Sequence, residues 1–326
     1  MNSSKKIGLL LAFCIVGCLC APFLGARLIA PSSILQGATG DYAIFWNMRV
    51  PRMLGAFLAG GALASSGVLF QSLFNNPLAS PYTLGISSGA ALGASLMLCF
   101  GGFSSGFLGL AGAAGCGGLA SMLLVLVIMG SARQFASTFL LLAGVIVNFF
   151  FSSLVLCIQY LSNPNDAIKI MRWMMGSLAG VSMDLLFPFS LIIWCAFIAA
   201  LPLAPELDLL LAGEDMAASR GVDLAKTRLA IFFLASAMVG SVVACAGPVG
   251  FVGLIVPQIC RLWLGSKHDI LLPASFMLGA SFLVFCDLLA RTILYPAEMP
   301  IGIITSLLGA PYFLWLLFRK RQELYM

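Results

Sequence analysis

The stretch Met53-Leu-Gly-Ala-Phe-Leu-Ala-Gly-Gly-Ala-Leu-Ala-Ser-Ser-Gly-Val-Leu-Phe-Gln71 carries no charged residue, and the chain stays free of charge from 53 to 132. Two further charge-free runs cover 134–165 and 229–260. A helix needs only ~20 apolar residues to cross a ~30 Å hydrocarbon core, so each run holds at least one crossing. Of the 326 residues, 61% are hydrophobic and 9% charged. Soluble domains carry about 25% charged residues. Water cannot accommodate so much apolar surface, and lipid is therefore the solvent. The fold class is all-α: one polytopic transmembrane domain over 1–326, with no room for a soluble domain.

Working outward, ten hydrophobic segments fall at 7–26, 53–73, 84–100, 107–129, 138–161, 185–204, 229–247, 251–265, 270–290 and 301–318. The first follows Lys5 and Lys6 and ends in a region resembling a signal peptide, with Ile15-Val16-Gly17-Cys18 like a lipoprotein cleavage site. The run exceeds the usual signal core and more spans follow, so it reads as an uncleaved first helix. The eighth is interrupted by Gly247, Pro248, Gly250, Gly253 and Pro257, the pattern of a short or broken helix. Such backbone survives at membrane depth only when buried in protein or lining a wet cavity. Gly85, Gly89 and Gly93 form overlapping GxxxG patterns in the third segment, which read as close helix packing.

An even number of spans puts both termini on one side. With that side cytoplasmic, Lys5, Lys6, Arg133, Arg220, Lys226, Arg228, Arg261, Lys267, Arg319, Lys320 and Arg321 lie inside. Arg27, Arg49, Arg52, Lys169, Arg172 and Arg291 lie outside. Eleven against six favours this orientation. The net charge of +5 is thinly spread, with no basic stripe or interleaved aromatics, which excludes nucleic acid as a partner. The ten cysteines lie in apolar segments without a CxxC pair and read as small buried hydrophobes.

One long polar connection, residues 205–228, holds five of the twelve acidic residues, the densest group of them in the chain. Glu214 to Arg220 favours helix, and Gly221 is placed to end it. On pattern alone it is either a solvated loop or a docking helix for a cytoplasmic partner. The chain has no Gly-Lys dipeptide and so no Walker A loop. The single histidine, His268, sits between Lys267 and Asp269 and reads as a solvated loop residue rather than a metal ligand. No catalytic, cofactor or metal constellation stands out, and the chain is not read as an enzyme.

Three ordered stretches carry a resemblance. The first is Arg49-Val-Pro-Arg52 with Gly60–Gln71 and Asn76-Pro-Leu-Ala-Ser-Pro81 through Gly89. The second is Gly247-Pro-Val-Gly-Phe-Val-Gly-Leu-Ile-Val-Pro257. The third is Asp287-Leu-Leu-Ala-Arg291, Glu298-Met-Pro-Ile-Gly302 and Gly309-Ala-Pro311. Over residues 45 to 318 the chain resembles the permease subunits of ABC importers for iron chelates (siderophore or haem) and vitamin B12. It departs from that pattern at Gln258, where His is common, at Arg220 and at Met299.

The resemblance implies a homodimeric pathway in the bacterial inner membrane. It implies a cytoplasmic ATPase dimer, with ATP and Mg on that partner, and a periplasmic or surface-anchored binding protein. Arg49, Arg52 and Arg291 would grip glutamates of the binding protein; headgroup anchoring, or an i, i+4 pair of Arg291 with Asp287, is the other reading. Asn76, Leu78, Ser137 and Thr138 would sit at the cytoplasmic gate, although Ser and Thr starting a helix also serve as caps. Gly213 and Gly221 would turn the coupling segment, with Glu214 and Ala217 facing the ATPase. The competing class is an ion-coupled secondary transporter, which needs acids or histidines inside the membrane. Asp287 is the one plausible mid-span acid.

Overall fold

The structure, a computed structural model, describes residues 3–25, 28–35, 39–80, 82, 85–100, 106–130, 137–294 and 296–324. All ten apolar segments are helices, and the described residues contain no strand. They are α1 (Ser3–Cys20), α4 (Val50–Leu73), α5 (Ile86–Phe100), α6 (Gly106–Gly130), α7 (Ser137–Leu161), α9 (Met183–Ala200), α12 (Leu224–Ala246), α13 (Val252–Leu264), α14 (His268–Thr292) and α15 (Ile301–Leu324). Among the described residues, six helices are long and apolar enough to cross a membrane. The segments Gly8–Cys20, Ile86–Phe100, Val252–Leu264 and Ile301–Leu316 are apolar but shorter.

Five short helices complete the chain: α2 (Pro31–Leu35), α3 (Thr39–Ile44), α8 (Pro164–Met174), α10 (Ala204–Ala212) and α11 (Glu214–Ser219). A π-helical turn over Phe45–Arg49 joins α3 to α4. Pro51 then enters the first turn of α4, where its missing amide costs nothing.

Helix α4 is the axis of the bundle and is buried along most of its length. It lies against α14 and α13 at distances only glycine permits. A Cβ on Gly60 would stand 2.1 Å from the Gly279 carbonyl oxygen, and one on Gly67 would stand 1.9 Å from that of Gly253. Helices α5 and α6 meet in the same way, as the GxxxG pattern implies: a Cβ on Gly93 would lie 2.1 Å from the Ala113 carbonyl oxygen. In lipid no hydrophobic force drives helices together, so this close approach supplies the packing energy.

The eighth segment is short, as its glycines and prolines predict. With 13 residues, α13 is about 20 Å long and does not cover the hydrocarbon core. The break before it is buried in protein. The Ser177 amide donates to Ala246 O at 2.8 Å, and the Val249 amide donates to the Tyr82 hydroxyl at 2.7 Å. The Gly302 amide closes the neighbouring turn on Met175 O at 3.1 Å. Every one of these bonds removes an unsatisfied group from the apolar interior.

Helix α8 has no counterpart among the ten segments. Asp166, Lys169 and Arg172 hide it from a hydropathy reading, while Ile170 on its inner face is buried. The cysteines divide: Cys14, Cys245, Cys260 and Cys286 are buried, whereas Cys20, Cys116, Cys157 and Cys195 are exposed on the apolar perimeter.

Candidate functional sites at the two ends of the bundle

One end of the α4–α14 pair carries a cluster of charges. Arg52 donates from Nε to Asp287 Oδ1 at 2.8 Å and from Nη1 to Glu298 Oε2 at 2.8 Å. Arg291 Nε lies 3.2 Å from Asp287 Oδ2, and its Nη2 donates to Ala21 O at 3.2 Å. The Asp287 side chain is 1% exposed, that of Arg291 7%, that of Arg52 12% and that of Glu298 49%. Two guanidinium groups therefore compensate one buried carboxylate, and the second acid reaches out of the cluster. Arg49, half-buried, donates from Nη1 to Pro22 O at 3.0 Å and to Phe23 O at 3.2 Å.

The three arginines named from the sequence are thus gathered at one end, but unequally. Arg49 and Arg52 reach the rim. Arg291 does not present a surface fork in this structure: its i, i+4 bond to Asp287 and the Ala21 carbonyl hold it inside.

At the other end, α4 stops in a turn in which Asn75 takes φ +45°. Asn76 Oδ1 accepts the Leu78 amide at 2.9 Å, and the Ala79 amide donates to Asn76 O at 3.0 Å. This local loop leaves the Leu78 side chain half exposed. Gln258 donates to Pro77 O at 3.4 Å, so the position that departs from the family pattern touches this turn. Ser137 and Thr138 form the first turn of α7, and their side chains lie outside the described residues.

The polar connection folds into α10 and α11, an elbow between α9 and α12. Gly213 separates the two helices at φ +122°, and Gly221 ends α11 at φ +88°, backbone states that side chains strain to adopt. Both glycines stand at turns of the connection. Ala217 differs: it is fully buried on the inner side of α11 and cannot face a partner from this position. The exposed residues of α11 are Glu214, Asp215, Met216, Ala218 and Ser219, followed by Arg220.

Elbow and bundle are tied by polar bonds. Glu214 Oε1 and Arg228 Nη2 form an ion pair at 2.5 Å. Thr227 donates to Glu206. Asp223 caps α12, accepting the Lys226 amide at 3.2 Å, and hydrogen bonds from the Lys226 side chain and amide hold its carboxyl below the usual range.

His268 overturns the reading of a solvated loop residue. It is fully buried as the first residue of α14. Its Nδ1 lies 2.6 Å from Asp208 Oδ1 and its Nε2 2.6 Å from Ser72 Oγ, while its amide donates to Asp208 Oδ1 at 3.1 Å. The sequence neighbours Lys267 and Asp269 point outward and concealed this. Only an acid on α10 and a serine on α4, both remote in sequence, explain the burial.

The FecCD transport family matches residues 10–319. The chain is 36% identical over 321 residues to the hemin transport system permease protein HmuU of Yersinia pestis, covering 97% of this chain and 96% of that protein. It is 40% identical over 323 residues to the vitamin B12 import system permease protein BtuC of Klebsiella pneumoniae, covering 96% and 92%. A solved structure of a metal-chelate type ABC transporter in an inward-facing conformation superposes with a TM-score of 0.86 at 33% identity, covering 97% and 99% of the two chains. A buried ion cluster at one end, a polar elbow at the other and a near-full-length match to these proteins lead to one identification: the chain belongs to the FecCD transport family and is a membrane permease of the ABC-importer type.

Proposed function

We propose that this permease imports an iron complex (a siderophore chelate or haem) or cobalamin across the bacterial cytoplasmic membrane. Two copies enclose the pathway. A cytoplasmic ATPase dimer, holding ATP and Mg, drives it, and a periplasmic or surface-anchored binding protein delivers the substrate. Both termini and the α10–α11 elbow are cytoplasmic, and the Arg52 end faces outward. The substrate class rests on the relatives, whose names specify hemin and vitamin B12 transport.

The observation that carries the energy source is the elbow. Its glycine turns, the bonds of Arg228 to Glu214 and Thr227 to Glu206, and the buried Ala217 fix one short helix against the bundle. That helix displays exposed Met216, 49% accessible, amid charged neighbours, the surface of a docking contact rather than a slack loop. Replacing Met216 by Asp together with Arg220→Glu is expected to abolish co-purification of the ATPase. Undiminished co-purification would refute this docking role.

An ion-coupled mechanism is disfavoured by the surroundings of Asp287. Its carboxylate is engaged by two fixed counter-charges, Arg52 and Arg291, which stand where a coupling cation would have to bind. At the outer rim, Arg49 and Arg52 are the docking residues for the binding protein, and Arg291 sets the cluster behind them. At the inner end, Asn76, Leu78, Ser137 and Thr138 form the gate. Bulky substitution at Ser137 and Thr138 is expected to impair uptake while the complex still assembles.

A further inference from the structure

The buried His268 is not used by the function as derived so far, and its geometry gives it one. It is the first residue of α14, its Nδ1 reaches Asp208 on α10, and its Nε2 reaches Ser72 on α4. An ionised carboxylate only accepts, so Asp208 Oδ1 takes both the Nδ1 hydrogen and the His268 amide hydrogen. In the neutral ring Nε2 is then an acceptor, and Ser72 donates to it. This tautomer follows from the partners, and it gives both ring nitrogens of His268 a hydrogen-bond partner. A single imidazole thereby pins three elements at one point.

Those three elements are the ones a coupling signal has to join. Helix α10 runs through Gly213 into α11, so Asp208 moves with the docking elbow. Helices α4 and α14 are locked to each other by the Gly60–Gly279 approach and, at the far end, by Arg52 and Asp287. Next to Ser72, Gln71 donates to Gly253 O at 3.1 Å and accepts from Arg261, which clamps α4 to α13. Displacement of the elbow is therefore passed to α4 and α14 through the bonds of Asp208, 35% exposed, to the fully buried His268 and from there to Ser72.

We propose that Asp208, His268 and Ser72 form a positioning relay that transmits ATPase-driven motion of the elbow to the α4–α14 pair. The inference rests on the elbow being the ATPase site. It makes geometry, not charge, the requirement at position 208, because one oxygen receives both bonds and a carboxamide oxygen can replace it.

The test uses the permease reconstituted with its ATPase and binding protein in proteoliposomes, with haem, cyanocobalamin and ferrichrome as probes. The readout is the amount of probe imported per ATP hydrolysed. For D208A and S72A the ATPase still co-purifies and still hydrolyses ATP, while the import ratio falls by about tenfold, within the range of ordinary coupling between sites. D208N keeps a ratio close to wild type. Wild-type ratios in D208A and S72A overturn the relay, as does a D208N ratio as low as that of D208A. Loss of ATPase co-purification in both D208A and S72A assigns the chain of bonds a purely structural role and also overturns it. Failure of the docking reading looks different: there the Met216 and Arg220 surface variants keep the ATPase bound.

Discussion

Arg52 on α4 and Asp287 on α14, 235 residues apart in sequence, meet at 2.8 Å in a nearly buried ion pair. Arg291 approaches the other carboxylate oxygen at 3.2 Å, so Asp287 is the shared counter-ion of two arginines. Burying a charge is costly unless it is paired, and removing one partner leaves the others without compensation.

Asp287→Ala is accordingly expected to destabilise the permease by about 3–5 kcal/mol, the usual cost of breaking a buried pair. Thermal unfolding in detergent measures this. A melting temperature equal to wild type would show that the cluster is solvated and unimportant to the fold.

Close packing gives a second expectation. Gly60→Val places side-chain atoms where the Gly279 backbone already is, since even a Cβ would come within 2.1 Å of its carbonyl oxygen. The variant should lose its monodisperse peak in size-exclusion chromatography. Gly112→Ala meets nothing within 4 Å and serves as the tolerated comparison. Equal behaviour of the two would remove glycine-mediated contact as the basis of the α4–α14 interface.

Arg49→Glu tests the outer rim with less risk to the fold than a change at Arg52. Its Nη1 donates to the Pro22 and Phe23 carbonyls. Capture of the binding protein should weaken at least several-fold, and the wild-type interaction should weaken as salt rises, because rim charges are screened beyond ~10 Å at 0.1 M. Salt-independent binding, unaffected by the substitution, would remove Arg49 from the docking surface.

The ten apolar segments were legible because lipid imposes apolarity along the helices it surrounds, whether or not each spans the full core. The short α13 was legible for a related reason, since Gly247, Pro248 and Pro257 cannot continue a regular helix. Helix α8 was not, because Asp166, Lys169 and Arg172 make it look like a loop while only Ile170 turns inward. His268 was misread because local charge density reports on neighbours in sequence. Its burial is decided by Asp208, 60 residues away, and Ser72, 196 residues away. Ala217 shows the same limit at smaller scale: a six-residue helix has an inner and an outer side, and the pattern Glu214 to Ser219 is too short to reveal which is which. Of the arginine cluster, the residues were readable but the inward turn of Arg291 was not.

The proposed function requires that nucleotide hydrolysis on a separate subunit drive import through this chain. The direct measurement is uptake of haem, cyanocobalamin and ferrichrome into proteoliposomes containing the permease, its ATPase and its binding protein. One of the probes should enter only with ATP inside the cytoplasmic compartment, stop when the ATPase is made hydrolysis-deficient, and continue when a protonophore and a sodium ionophore collapse the ion gradients. Uptake without nucleotide, or uptake abolished by collapsing those gradients, would contradict it.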